Sequence, residues 1–125
     1  MTGKRVIIEM GMGNDQYGKD YTKAAIRAVE DAIRHSSLPM FESLGLSHDL
    51  MTVAVTIGVQ EPDAVRLGEI EAHLPRGVAK ARAVIGGLNV ANAETGTTAV
   101  IATAAVEAFI PDQTGKWVKA TTPDA

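Results

Sequence analysis

Hydrophobic positions change their period along this chain, and each change predicts an element. Arg5–Met10 (RVIIEM) is a short apolar, β-branched run closed by Gly11 and Gly13. Length and branching predict a strand. From Tyr21 to about Ser36 the period becomes helical: Ala25, Ile26, Val29, Ala32 and Ile33 recur on one face, and Lys23, Arg27, Glu30, Asp31 and Arg34 take the other. This predicts an amphipathic helix with Ile26, Val29 and Ile33 buried. Arg27/Asp31 and Glu30/Arg34 stand at i,i+4, each pair adding ~0.2–0.5 kcal/mol. Asp20 is placed to cap the helix by bonding its exposed N–H groups, and Pro39 limits its far end.

Leu38–Leu50 carries Pro39, Gly45, Ser47 and Asp49 and reads as a connector with at most one helical turn. Met51–Val59 alternates cleanly, with Met51, Val53, Val55, Ile57 and Val59 on one side and small residues on the other. That is the pattern of a half-buried strand. Glu61-Pro62-Asp63 opens a short helix running to about Leu74, stopped by Pro75 and Gly77. Val78–Ile85 alternates again, Gly86-Gly87 marks a bulge or strand end, and Asn92–Gly96 is a turn. Thr98–Ile110 has alanines that permit helix and β-branched residues that favour strand; strand is the reading adopted. Pro111 ends it. The order β-α-β-α-β-β makes an α+β two-layer domain with a mixed sheet over residues 1–110, followed by a tail at 111–125. Two helices leave one face of a four-stranded sheet without cover, so self-association is expected.

Composition sharpens this picture. Aromatic residues are only 4%, so the core must be built from Val, Ile, Leu, Met and Ala. Such a core buries little area per residue, which again favours burial between subunits. Net charge is −3, with no basic stripe, and this argues against nucleic acid. The apolar runs fall far short of the ~20 residues that span a bilayer. Cysteine does not occur, which excludes disulfides and thiolate chemistry. His35, His48 and His73 are scattered without ligand spacing, so neither a metal nor a cofactor is expected. A cytoplasmic location is the expectation.

Candidate chemistry concentrates in Gly11-Met-Gly13-Asn-Asp15-Gln-Tyr17-Gly18, read as a glycine-rich loop between strand and helix. Glycines let backbone N–H groups line a concavity, and the helix N-terminus adds positive potential. Gly11, Gly13 and Gly18 would then cradle a small polar or anionic molecule. Asp15 would act as acid/base or orienting group, with Tyr17 as its hydrogen-bonding partner. The alternative is a tight turn in which Asp15 bonds its own backbone. The spacing does not fit a dinucleotide fingerprint, whose third glycine would fall two positions earlier. Gly13–Asp20 misses a phosphate-binding P-loop by one residue, because Asp20 stands where Ser or Thr would hold Mg²⁺. Lys80 and Arg82 share one strand face and could clamp an anion across a subunit interface; solvated edge charges are the other reading.

This loop, with Thr22-Lys-Ala-Ala-Ile-Arg-Ala-Val-Glu-Asp-Ala-Ile33, resembles a small uncharacterised bacterial and plant family with the signature Gly-x-Gly-x-Asp-x-His-Gly. Gly11, Gly13, Asp15 and Gly18 match it, and Tyr17 replaces the histidine; the resemblance spans about residues 4–110. More loosely, the element order is similar to that of chorismate mutase-like trimers and of the ring-opening cyclic amide hydrolases. That likeness implies a trimer with ligand sites between subunits. The leading expectation is therefore a homo-oligomeric small-molecule enzyme or binding protein with its site at the loop. A non-catalytic structural or regulatory oligomer is the competing class.

Overall fold

The computed structural model describes residues 3–34 and 45–116. Its elements run β1 (Lys4–Asp15), α1 (Tyr21–Arg34), β2 (Thr52–Val59), α2 (Leu67–Ala72), β3 (Val78–Ile85), β4 (Leu88–Asn92) and β5 (Thr97–Ile110). Short 3-10 turns at His48–Leu50 and Pro62–Ala64 precede β2 and α2. The far end of the first helix at Ser36 and Pro39, the start of the predicted connector and most of the predicted tail lie outside the described residues.

All strands join one mixed sheet in the order β1-β5-β2-β3, with β4 also paired to β5. β5 is its spine. It runs antiparallel to β1 on one side, and antiparallel to β2 and then β4 on the other. β2 and β3 pair in parallel. Both helices lie on one face, so the two-layer α+β reading holds, with five strands where four were expected. Thr98–Ile110 is strand, as its β-branched residues favour.

Three expectations change. First, β1 does not stop at Met10; Gly11, Gly13 and Asp15 continue it and pair with Ala104, Ala102 and Val100. More than half of the expected loop, Gly11–Asp15, is therefore strand. Second, the helix expected from Glu61 is split. Val65 and Arg66 are extended, because Val65 buries its side chain and Arg66 gives its N–H to Thr22 Oγ1 of α1 at 2.9 Å. Third, Leu88–Asn92 is a strand. Its alternation was hidden by its shortness and by the Gly86-Gly87 and Asn92–Gly96 turns around it.

The core lies between α1 and the sheet, with Met51 just ahead of β2, Val53, Val55, Ile57 and Val59 from β2, and Val100, Val106 and Ile110 from β5 all buried. On α1 the innermost residues are Ala24, Ala25, Ala28, Val29 and Ala32, all fully buried. Ile26 and Ile33 are only half-buried at the margin. Gly11 and Gly13 explain the shift. A Cβ at Gly11 would fall 2.5 Å from Ala32 N, and one at Gly13 would fall 2.5 Å from Arg27 Cβ and 2.6 Å from Ala24 O. The helix backbone rests directly on the strand, so only alanines fit at the contact and the isoleucines flank it.

Both sheet edges are partly covered by helix side chains. On β1, Asp31 Oδ2 accepts the Met12 N–H at 3.0 Å and Arg27 donates to Asn14 O at 2.6 Å. On β3, Glu71 Oε2 accepts the Ala81 N–H at 2.8 Å. The face away from the helices is open among the described residues. Met10 (69% exposed), Met12 (59%) and Leu88 (60%) stand on it with Ile8, Val84 and Val90.

Two alanine substitutions should separate close packing from ordinary glycine flexibility. Gly13→Ala is expected to lower unfolding free energy by at least ~1–3 kcal/mol through overpacking against α1. Gly68→Ala in α2, where no atom lies within 4 Å of the new Cβ, is expected to add ~0.4–1 kcal/mol. Urea denaturation measures both.

Candidate functional site

The Gly11–Gly18 motif divides into parts that face opposite sides of the sheet. Gly11 and Gly13 look into α1 and form no cradle. Asp15 ends β1 on the same side, 5% exposed. Its Oδ2 accepts the Asp20 N–H at 2.9 Å, and its Oδ1 lies 3.7 Å from Lys23 Nζ. Asp20 in turn caps α1, accepting the Lys23 N–H at 3.0 Å. The N–H of Asp20 holds the Asp15 carboxyl below its ordinary pKa; Lys23, Arg27 and the Gly18 N–H act in the same sense, and desolvation opposes them. A Cβ at Gly18 would sit 3.0 Å from Asp15 Oδ2, so this glycine admits the carboxylate. Lys19 completes the turn with a left-handed φ of +52°, a strained conformation for a lysine. The local geometry is that of a latch between strand and helix.

Tyr17 points elsewhere. It is 80% exposed and lies beside a groove of about 850 Å³ on the open sheet face, between Gln16-Tyr17 and the β4–β5 hairpin. Its apolar residues include Met12, Val90, Ala99 and Ile101; its polar ones include Asn14, Gln16, Asn92 and Glu94. Its size falls within the roughly 300–1,000 Å³ usual for small-molecule sites.

Lys80 and Arg82 stand on the same open face at a distance. Through β2 they align with Glu107 and Ala105 of β5, six and four residues from Ile101. At about 3.4 Å per residue, that puts them roughly 20 and 13 Å along the strand. Arg82 Nε also donates to Thr56 Oγ1 at 3.1 Å. Within one chain the structure brings Tyr17 to the groove, but leaves Asp15 behind it and the two cations outside it.

A second polar cluster escaped the sequence reading. The Tyr21 hydroxyl, at the first turn of α1, donates to Glu61 Oε2 at 2.6 Å and accepts from Asn89 Nδ2 at 2.7 Å. Lys19 Nζ lies 3.6 Å from the same Glu61 oxygen. Burial and the Glu61 carboxylate push the phenol pKa up; the phenol's hydrogen bond pulls Glu61 down. The three side chains tie α1, the end of β2 and β4 together. Only recognition of β4 would have exposed this cluster. Among the described residues no group of three His, Asp or Glu is arranged to hold a metal ion, and no helix is long and apolar enough to cross a membrane.

Comparison with known proteins identifies a family. Residues 5–108 match the family described as "Conserved hypothetical protein (Lin0512_fam)", and the chain belongs to it. The crystal structure of an FtsZ-like protein of unknown function from Nostoc punctiforme is similar, with a TM-score of 0.79 and 42% sequence identity. The match covers 90% of this chain and 99% of that one. No curated protein matches the chain.

The latch generates a pH-dependent expectation. Asp15→Ala should cost ~1–3 kcal/mol at neutral pH, because it leaves the part-buried Asp20 N–H without its acceptor; Asp15→Asn should recover part of this. A depressed folded pKa means that the carboxylate stabilises the fold above the ordinary aspartate value, and that this contribution fades as pH falls through the lower folded value. The Tm gap between wild type and Asp15→Asn should therefore narrow only below about pH 4. Thermal melts across pH 2.5–7 check this; a pH-independent gap would contradict it.

Proposed function

We propose that this protein is a homo-oligomeric small-molecule-binding protein whose ligand occupies the groove at the loop end of the open sheet face. The observation that supports this reading is the make-up of the groove: an apolar floor, a rim rich in side-chain amides and one exposed tyrosine. An apolar lining with a few placed polar groups is what small-molecule sites share. Tyr17 offers a ring to stack on and a hydroxyl to donate. Asn14, Gln16 and Asn92 each offer both a donor and an acceptor. The ligand class that uses all of these is a flat, neutral heterocycle with mixed hydrogen-bonding edges. Glu94, the charged residue of the groove, disfavours an anion there.

In this reading Asp15 is a positioning residue that holds the Tyr17 loop from behind, and Gly18 makes room for it. Gly11 and Gly13 seat α1. Lys80 and Arg82 reach a ligand only if another copy carries them. The homo-oligomeric part is supported by the exposed Met10, Met12, Leu88 and Val90 side chains, an apolar patch of the kind that marks interaction surfaces.

Thermal-shift titration with purine and pyrimidine bases, set against small carboxylates, tests the reading. A base at a hundred times its Kd should add ~2.7 kcal/mol of stability, with no response to the carboxylates. Tyr17→Ala should lose that response while keeping its own Tm within a degree or so of wild type, as an exposed side chain allows. An unchanged response in Tyr17→Ala, or none to any base in the wild type, would favour the structural oligomer instead.

A further inference from the structure

We infer that a second copy of this chain seats on the open sheet face with its strands antiparallel to those beneath, so that Lys80 and Arg82 of each copy lie over the Glu94 end of the other. The inference rests on the homo-oligomeric half of the reading above and gives it a surface and an orientation.

Edge-to-edge growth of the sheet is hindered at the Met12–Asn14 end of β1 and in the middle of β3, and β4 offers an edge of only five residues. The Met12 N–H and Asn14 O of β1 are taken by Asp31 and Arg27, and the Ala81 N–H of β3 by Glu71. Side chains that occupy edge groups in this way hinder strand addition, and the face remains. Its size suits a stable pair. Strands spaced about 4.8 Å apart, along a β5 of 14 residues at about 3.4 Å each, present on the order of 800 Å². A standard interface buries about 800 Å² per partner. The middle of the face is low, since Gly58 and Thr103 sit side by side there between Val84 and Met12.

Charge chooses the orientation. Lys80, Arg82 and the Arg5–Glu107 ion pair occupy one end of the face, and Glu94 lies at the other, in the β4–β5 turn. A two-fold axis in the interface, crossing the strands at the Gly58–Thr103 row, places the Arg82 row over Leu88–Ile101. It places the Lys80 row over Val90–Ala99, and brings both cations toward Glu94. An axis along the strands would instead stack the cationic end on itself, which like charges oppose. Face-to-face sheets pack with strands within about 30° of each other, and the two-fold arrangement allows this. It also roofs the groove with the second copy, and it supplies the cations that a single chain keeps 13–20 Å away by the strand spacing of roughly 3.4 Å per residue. One face per chain is then satisfied by one partner, so the assembly closes at two copies.

Light scattering and sedimentation on the ligand-free protein test this. The mass should be twice 13.1 kDa. Lys80→Glu with Arg82→Glu should weaken the dimer ~10–100-fold, Glu94→Lys should weaken it by a similar factor, and all three together should return Kd to within ~3-fold of wild type. The weakening should shrink in ~1 M salt. Met12→Lys, on the Gly58–Thr103 row that the axis follows, should give monomers, with circular dichroism confirming that every variant is folded. A mass of one or three chains overturns the inference. So does a dimer that survives Met12→Lys, or one that Met12→Lys breaks while the charge reversals leave it unchanged or fail to compensate. Because the readout is mass without ligand, a failed ligand screen leaves this result standing, and a monomer removes only the oligomeric half of the functional reading.

Discussion

How closely α1 can approach β1 governs the helix side of the molecule. With no side chain at Gly11 or Gly13, the helix backbone lies on the strand itself, and Ala24, Ala28 and Ala32 are what fit in the contact. Close approach replaces bulk as the main source of cohesion: many short dispersion contacts between backbone atoms stand in for large aromatic side chains, of which this chain has few. The same approach brings Arg27 and Asp31 within reach of the β1 edge, where they bond Asn14 and Met12. The edge cover and the core packing are thus consequences of one glycine-permitted distance.

The latch at Asp15 extends this constraint to the groove. Asp15 fixes the start of α1 through Asp20 and, from the helix side of the sheet, sets where the chain leaves β1. Gln16 and Tyr17 lie in that departing segment and border the groove on the other side. One buried carboxylate therefore links helix initiation to the shape of a surface that it does not touch. Tyr21 does comparable work on the flank, joining α1 to Glu61 and to Asn89 of β4.

Much of the fold was legible in residue order. Period-two alternation located β2 and β3, and the helical stripe located α1 and its Asp20 cap. The β-branched residues of Thr98–Ile110 decided between strand and helix correctly. What failed did so for physical reasons. Gly11 and Gly13 were read for backbone freedom, the common use of glycine, when their use here is to lack a side chain inside a strand. The apolar stripe predicts Ile26, Val29 and Ile33 buried; Val29 is, while Ile26 and Ile33 flank the contact because the strand below sets the depth. β4 was too short and too closely framed by turns for its alternation to stand out. The side to which Asp15 and Tyr17 turn depends on where the strand ends, and β1 runs five residues beyond the expected Met10.

The central position of β5 has a consequence for how the chain reaches its fold. β1 is made first, yet its partner is the last strand: Lys4 pairs with Ile110, and β2 and β4 also take their places along β5. At translation rates of roughly 5–20 residues per second, β1 waits on the order of ten seconds for that partner to be synthesised. Until then β1, β2 and β4 all lack the β5 side of their hydrogen-bonding ladders, and an apolar strand such as RVIIEM stands open to other chains. Completion of the sheet is therefore late and non-local, the regime in which high contact order makes folding slow. Truncation before Thr97 would therefore remove the strand to which β1, β2 and β4 all pair, and a ribosome that stalls there would leave their unpaired edges open to other chains.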